Sequence, residues 1–272
     1  VNNKNQSLQD VQIKSVFALY SNGQIKEALN AVEALTKDYP NESLLYNIRG
    51  VCYKSINQVD ASVLSFKKAL SIKPDDIMAY FNLGIIHMEI GQLDSAVKFY
   101  EKALTLNPHY SDVHYNLGIT FEELGNLDSA VKSYENVLTI KPDHFASYNN
   151  LGVLYKELGN QEAAVKSYKK AIAIKPDFAD AHNNLGISFF QDDQLDLAVI
   201  SLKQAINIKP DFADAHNNLG IFFDKIDQLD LAVISFKQAI AIKPDFAEAY
   251  LGHGNVLTKL NRKDEALVSY ES

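Results

Sequence analysis

The sequence predicts an all-α chain of about eight consecutive helix-turn-helix repeats, and three periodic features indicate it. The first is an unbroken 34-residue spacing between all seven prolines: Pro40, Pro74, Pro108, Pro142, Pro176, Pro210 and Pro244. The second is a recurring turn residue midway between prolines, and the third is a pair of amphipathic segments around that turn. Such self-similarity is typical of a repeat array, in which each unit contacts mainly its neighbours.

Each period contains two segments with helical spacing of apolar residues. In residues 77–110, Tyr80 and Leu83 mark one face of the first segment, and Ala96 and Tyr100 mark one face of the second. Spacings of three and four residues place side chains on one side of a helix. Each repeat is therefore predicted to be a pair of amphipathic helices.

The turn between the two helices is occupied only by residues that tolerate a left-handed backbone. Its eight occupants are Gly23, Asn57, Gly91, Gly125, Gly159, Asp193, Asp227 and Asn261. Acidic residues follow three positions later, and others come directly after the prolines. We expect these acids to cap the second and the first helices respectively. The two sets are Asp60, Asp94, Asp128, Glu162, Asp196, Asp230 and Asp264, and then Asp75, Asp143, Asp177, Asp211 and Asp245.

Small residues recur where the two helices are expected to cross. Glycine inside a helix costs roughly 1 kcal/mol relative to alanine, so its repetition indicates close packing. The large residues beside these positions are expected to interdigitate with the next repeat. The small residues are Gly84, Gly118, Gly152, Gly186 and Gly220 in the first helices and Ala96, Ala130, Ala164, Ala198 and Ala232 in the second.

These residues form a pattern that resembles the tetratricopeptide repeat. It is complete at Tyr148, Leu151, Gly152, Tyr155, Ala164, Tyr168, Ala171 and Pro176. The resemblance implies a right-handed α-α superhelix whose first helices line a concave groove. It covers residues 9–272, after a polar extension at residues 1–8. The repeats are 9–42, 43–76, 77–110, 111–144, 145–178, 179–212, 213–246 and a partial 247–272.

An asparagine ladder is the main candidate binding site. It precedes the Leu-Gly pair in five repeats, at Asn82, Asn116, Asn150, Asn184 and Asn218, and is doubled by Asn149, Asn183 and Asn217. A side-chain amide offers two donors and an acceptor, which suit a peptide backbone of any sequence. The ladder resembles that of the repeat domain in O-linked N-acetylglucosamine transferases, where such asparagines hold an extended polypeptide. The alternative is local packing or capping.

Acidic residues are expected on the same face and would favour a basic ligand. The alternative is an ordinary solvated surface in an acidic protein. These residues are Glu89, Asp112, Glu123, Glu157, Asp180, Asp214, Asp224 and Glu248.

Composition argues against several functions. The net charge of −8 argues against nucleic-acid binding, which needs clustered basic residues. No apolar run reaches the roughly 20 residues of a membrane span. The single cysteine, Cys52, forms no internal disulfide, and a cytoplasmic location is favoured. The histidines at His114, His182 and His216 occupy aromatic positions, so neither a metal nor another cofactor is expected. No catalytic motif is present, and an enzyme is not expected.

The favoured function is a scaffold module that binds a protein or peptide in an extended form. One alternative is a substrate-presenting arm of a glycosyl- or sulfotransferase whose catalytic domain follows Ser272. Another is a self-assembling spacer. Self-association is expected through the C-terminal repeat, whose apolar residues are predicted to be exposed. These are Leu257, Leu260, Ala266, Leu267 and Tyr270.

Overall fold

A computed structural model describes residues 2–271, with side chains described from residue 11 onwards. Those residues form sixteen α-helices and contain no strand, which confirms the all-α class and the helix-turn-helix repeat. In chain order, α1 to α8 are Asn2–Ser21, Ile25–Asp38, Ser43–Ser55, Val59–Ile72, Ile77–Glu89, Leu93–Leu106, Ser111–Glu123 and Leu127–Ile140. The helices α9 to α16 are Phe145–Glu157, Gln161–Ile174, Ala179–Gln191, Leu195–Ile208, Ala213–Lys225, Leu229–Ile242, Ala247–Lys259 and Lys263–Glu271.

Contacts divide the chain into two units, residues 1–136 and 137–272. Within each unit the two helices of a repeat pack together, and the second helix packs on the first helix of the following repeat. First helices also contact first helices of neighbouring repeats, so they line one side of each unit. The helix α1 begins at Asn2, so residues 2–8, predicted as a polar extension, are helical in the structure.

The turns adopt the left-handed backbone that the sequence predicts. All eight turn residues have positive φ, from 71° to 77° at the glycines and 59° or 60° at Asn57, Asp193, Asp227 and Asn261. In the third repeat, the backbone N–H of Gln92 donates to the carbonyl of His87 at 2.8 Å, across the turn at Gly91. This bond closes the helix end as in a Schellman motif, and the prediction is confirmed.

The acids predicted to cap the helices lie one or two residues away from the capping positions. The second helices begin one residue before the acids, so Asp60 and its equivalents lie inside the first turn. There they still favour the helix dipole without capping it. The first helix α5 is capped by Asp76, whose side chain accepts from the backbone N–H of Ala79 at 3.2 Å, and not by Asp75.

Glycine makes room for a large side chain from the second helix of its own repeat. A Cβ added at Gly84 would lie 2.3 Å from the ring of Tyr100, and one at Gly152 would lie 2.4 Å from Tyr168. The sequence predicts that these glycines pack against alanine where the helices cross. At Gly84 and Gly152 the nearest neighbour is instead the tyrosine ring. Tyr100 also packs against Leu117 of the next repeat, as expected. One ring thus joins the pair and links it to its neighbour.

In four repeats the residue at the aromatic position of the first helix bonds to the carbonyl of the preceding proline. The carbonyl of Pro108 accepts from Nε2 of the buried His114 at 2.9 Å, and Pro176 accepts in the same way from His182 at 3.0 Å. The hydroxyl of Tyr46 makes the equivalent bond to the carbonyl of Pro40. These histidines therefore replace tyrosine in a structural hydrogen bond.

The C-terminal repeat is better packed than its sequence predicts. Leu257 and Ala266 are buried between α15 and α16, because the last helix pair forms the same internal contacts as the others. Leu267 and Tyr270 are exposed, as expected. The predicted exposed set is therefore wrong at its two buried members.

Replacing Gly152 by alanine should destabilise the protein, because the added methyl group overlaps the buried ring of Tyr168. We expect a loss of roughly 1–3 kcal/mol, measured as a lower urea midpoint at unchanged helical circular dichroism. Gly186→Ala is the matched control. Its Cβ would lie 2.9 Å from Leu202 and 3.2 Å from the carbonyl oxygen of Ala198, both farther than the 2.4 Å to Tyr168 at Gly152, so the loss should be smaller. Equal midpoints for Gly152→Ala and the wild type would contradict the ring contact.

Candidate functional site

The predicted ladder lies on the first helices, and its asparagines are half-buried. In the second unit the doubled asparagines link neighbouring repeats. The side-chain amide of Asn184 donates to Oδ1 of Asn149 at 3.1 Å, and that of Asn218 donates to Oδ1 of Asn183 at 3.0 Å. The accepting residues, Asn149 and Asn183, are buried. Part of the ladder therefore holds adjacent first helices together.

This series of linked amides ends at Asn217. Its Oδ1 is buried and has no hydrogen-bond partner among the described residues. The position that would supply the donor, 34 residues after Asn218, is Gly252. Asn217 is therefore buried like Asn149 and Asn183, but its oxygen lacks the hydrogen bond that those two residues accept from the next repeat.

The ladder residues of the first unit use their amides differently. Asn82 donates to the carbonyl of Met78 at 2.8 Å, and Asn116 donates to the carbonyl of Asp112 at 2.7 Å, each within its own helix. Each of these bonds uses one side-chain N–H. An amide supplies two donors and an acceptor, so the second N–H and the oxygen of each residue can still bind a ligand. Asn150, the remaining ladder residue, is half-buried in α9.

A largely apolar groove lies beside Asn82 in the first unit. It has a volume of about 500 Å³ and is bounded by α1, α3 and α5. Phe17, Leu44 and Met78 line it and are 47%, 40% and 49% exposed. Exposed side chains of this size, grouped in one depression, are typical of a binding surface. Sequence reasoning missed the groove because its walls come from three different repeats.

The groove has a polar wall formed by Asn47 and Asp76. The buried amide of Asn47 donates to Oδ2 of Asp76 at 2.7 Å, while Oδ1 of Asp76 accepts from Ala79. The oxygen of Asn47 is buried and has no hydrogen-bond partner among the described residues. The groove therefore combines apolar walls with a few fixed polar groups, which is the usual make-up of a ligand site.

Two of the acids predicted to attract a basic ligand already have cationic partners. Glu89 pairs with Lys54 at 2.8 Å, and Asp224 pairs with Lys259 at 2.6 Å. Both pairs join residues 35 apart, at the ends of neighbouring first helices. The same spacing joins Phe190 to a lysine, Lys225, whose Nζ lies 4.6 Å from the ring centre. These acids serve contacts between repeats, and the other predicted acids are exposed.

The described residues were also compared with what a metal site, a membrane-spanning helix and a reactive cysteine require. Residues 11–271, whose side chains are described, contain no group of three or more His, Cys, Asp or Glu placed to hold a metal ion. Within the same range, none of the helices has the length and apolar character needed to cross a membrane. Cys52 is buried, and burial raises the pKa of its thiol to about 11. Its nucleophilic thiolate is therefore scarce near neutral pH.

With this geometry established, sequence comparison identifies the class of protein. Models described as "TPR repeat" match residues 50–91, 122–159, 154–193 and 188–225. Models described as "Tetratricopeptide repeat" match residues 77–110, 99–132 and 213–246. The chain belongs to the tetratricopeptide repeat family, whose fold is a scaffold for protein interaction. No curated protein matches the chain significantly.

Solved structures with the same fold include several repeat proteins. A crystal structure of MamA is 29% identical, with a TM-score of 0.52, and the match covers 57% of this chain and 91% of MamA. YrrB, described as a TPR protein with an unusual peptide-binding site, is 23% identical over 68% of this chain and 95% of its own, with a TM-score of 0.55. A repeat protein from Cytophaga hutchinsonii is 20% identical over 88% and 98% of the two chains, with a TM-score of 0.68.

Asn184→Ala should destabilise the second unit, because it leaves the buried oxygen of Asn149 without its donor. An unsatisfied buried polar group costs roughly 1–3 kcal/mol, which urea unfolding can resolve. Asn116→Ala is the matched control. It removes only a bond within its own helix and introduces the best helix former, so the midpoint should hardly change. Equal effects of the two variants would show that the amide links carry no stability.

His253 provides a pH test of the last repeat. It occupies the position held by Leu219 in the preceding repeat, is buried, and has Nδ1 2.9 Å from the hydroxyl of Ser269. Burial lowers the pKa of its imidazole, and Lys237 and Arg262 act in the same direction. The folded protein therefore binds a proton at His253 less readily than the unfolded chain does.

Stability supplied by neutral His253 should be present above the ordinary histidine pKa of about 6.5 and lost as the pH falls through and below it. We expect the urea midpoint of the wild type to drop over that range. The midpoint of His253→Leu should drop less, because the leucine found at this position in repeats three to seven does not titrate. Parallel pH profiles for the two proteins would contradict the assignment to His253.

Proposed function

We propose that the chain is a peptide-binding module whose first unit holds an extended polypeptide along its first helices. The observation that supports this most directly is the position of Asn82 at the edge of the apolar groove. An apolar side chain of the ligand would enter between Phe17, Leu44 and Met78. The amide of Asn82 would then bind the ligand backbone beside that side chain.

The ladder supports a backbone contact that continues beyond the groove. Asn116 repeats the position of Asn82 one repeat later, is also half-buried, and also commits only one N–H to its own helix. An amide that offers an acceptor and a donor can pair with a peptide group of any sequence. The apolar groove would then supply the preference for sequence, and the amides would supply the direction and register.

The predicted role of the whole ladder becomes more specific in this proposal. Asn149, Asn183 and Asn217 are buried, so we assign them to packing between repeats. Asn184 and Asn218 use their amides on that packing, which leaves Asn82 and Asn116 as the better ligand contacts. The exposed acids near the same helices favour a ligand that carries lysine or arginine.

Binding can be tested with fluorescein-labelled 12-residue peptides that carry one central leucine or phenylalanine flanked by glycine, serine and lysine. The double variant Asn82→Ala, Asn116→Ala should weaken the best-binding peptide by roughly tenfold per lost hydrogen bond, measured by fluorescence anisotropy. Helical content should stay unchanged, because each bond lost lies within a single helix. Methylation of the peptide's backbone nitrogens should weaken binding to the wild type and have less effect on the double variant.

Two further variants locate the site. Met78→Asp should abolish binding by placing a charge in the groove, and Asn30→Ala should not affect it, because Asn30 is exposed on the second helix α2. The proposal fails if no peptide of the panel binds the wild type. It also fails if the double asparagine variant and the wild type bind the best peptide equally.

A further inference from the structure

The second helices of repeats six and seven expose an apolar patch on the side away from the first helices. Leu197 and Ile200 on α12 are 44% and 62% exposed, and Leu231 and Ile234 on α14 are 43% and 55% exposed. Both pairs have a spacing of three residues, so each forms a short ridge along its helix. We call these four residues the α12–α14 patch.

The pair of large apolar residues occurs only in repeats six and seven, although the second position alone is also apolar in repeats two and eight, at Leu64 and Val268. The positions of Leu197 and Ile200 are held by serine or alanine and then by lysine in repeats three to five. The apolar residues are therefore not needed for the helix pair to form. These equivalents are Ser95 and Lys98, Ser129 and Lys132, and Ala163 and Lys166.

A groove follows the patch between the two helices. It has a volume of about 380 Å³, with Leu231 and Ile234 on one wall and Lys203 on the other. Leu219 and Phe223 of α13 line it as well. The surface thus offers both apolar ridges and a depression that could receive a ridge of the same kind.

The two ends of the patch carry opposite charges, so they are complementary when two copies pack with their helices antiparallel. Asp196 precedes the ridge of α12 and Lys203 follows it, and both are exposed on the same helix face as Ile200. When two copies of α12 pack in opposite directions, the aspartate of each lies near the lysine of the other. Asp230 and Lys237 repeat the order on α14, although Asp230 also interacts with Arg262, directly before α16, and Lys237 with Glu265 of α16.

We propose that the α12–α14 patch is a self-association surface, bound by the same patch of a second copy in a twofold arrangement. A twofold contact brings identical surfaces together, so one patch with an acidic end, an apolar centre and a basic end is sufficient for it. This surface is distinct from the peptide site proposed on the first helices of the other unit. It also differs from the C-terminal surface that the sequence predicts, around Leu267 and Tyr270.

The first test is the mass of the protein by sedimentation velocity over a range of concentrations. The wild type should be a dimer at high concentration. Ile200→Lys with Ile234→Lys should raise the dissociation constant about tenfold or more, because charges replace the centre of the contact. Folding should be retained, since lysine occupies this position in repeats three to five. Leu64→Lys is the matched control at the same position of repeat two, where leucine is 66% exposed, and it should leave the dimer intact.

Charge variants of α12 test the arrangement itself. Asp196→Lys and Lys203→Asp should each weaken the homodimer, and an equimolar mixture of the two should form a heterodimer, because opposite charges then meet at both ends. Circular dichroism checks that each variant is folded. A wild type that is monomeric at every accessible concentration would overturn the proposal. So would a dimer that survives the double lysine variant, or one that is lost in Leu267→Glu and not in that variant.

Discussion

The contact on which the rest of the structure depends is a ring of the second helix lying against a glycine of the first. Tyr100 on Gly84 and Tyr168 on Gly152 bring two backbones closer than any larger residue would allow. The same ring then packs on the next repeat, as Tyr100 does with Leu117. The contact recurs with the 34-residue period in repeats two to eight, with Leu202 in place of the ring in repeat six, so it fixes which face of these helices is buried and which faces remain for binding.

The two remaining faces have different chemistry. The first helices present amides, acids and, in the first unit, an apolar groove, which suits an extended polypeptide. The second helices present lysine with serine or alanine in repeats three to five but an apolar patch in repeats six and seven. The segment DQLDLAVIS begins at both Asp193 and Asp227, so Leu197 and Leu231 have the same neighbours in sequence and each helix carries the same apolar pair. The second helices can therefore carry an exposed apolar surface without any change in the buried contacts that hold the repeats together.

The sequence predicts the periodic features well and the non-periodic ones poorly. Asn57 and Asp193 could be recognised as turn residues because a left-handed backbone restricts the choice of residue to very few types. The caps could not, because the residue that leaves helical geometry, such as Asp76, is fixed by the packing of the turn and not by its side chain alone. The role of the histidines was partly recognised, but their bonds to proline carbonyls depend on a distance between two elements.

In the candidate site, too, the sequence predicts the periodic feature and misses the non-periodic ones. The ladder could be found from its spacing, yet the sequence does not tell that Asn184 bonds to Asn149 while Asn116 bonds within its own helix. Asn149 lies 35 residues before Asn184, whereas the residue 35 positions before Asn116 is Phe81, whose side chain cannot accept a hydrogen bond from an amide. The groove at Phe17, Leu44 and Met78 was not found, because its walls come from three repeats and its apolar residues do not recur along the array. Leu44 and Met78 hold the same repeat position, but that position is Asp112 in the next repeat.

The central claim is that the first helices of the first unit bind a peptide backbone through asparagine amides. It is tested most directly by following the side-chain amide signals of the ¹⁵N-labelled protein while a lysine-containing peptide with one central leucine is added. The account predicts that the signals of Asn82 and Asn116 shift progressively and saturate, while those of the buried Asn183 and Asn217 stay in place. Saturable binding without any change at Asn82 and Asn116 would contradict it.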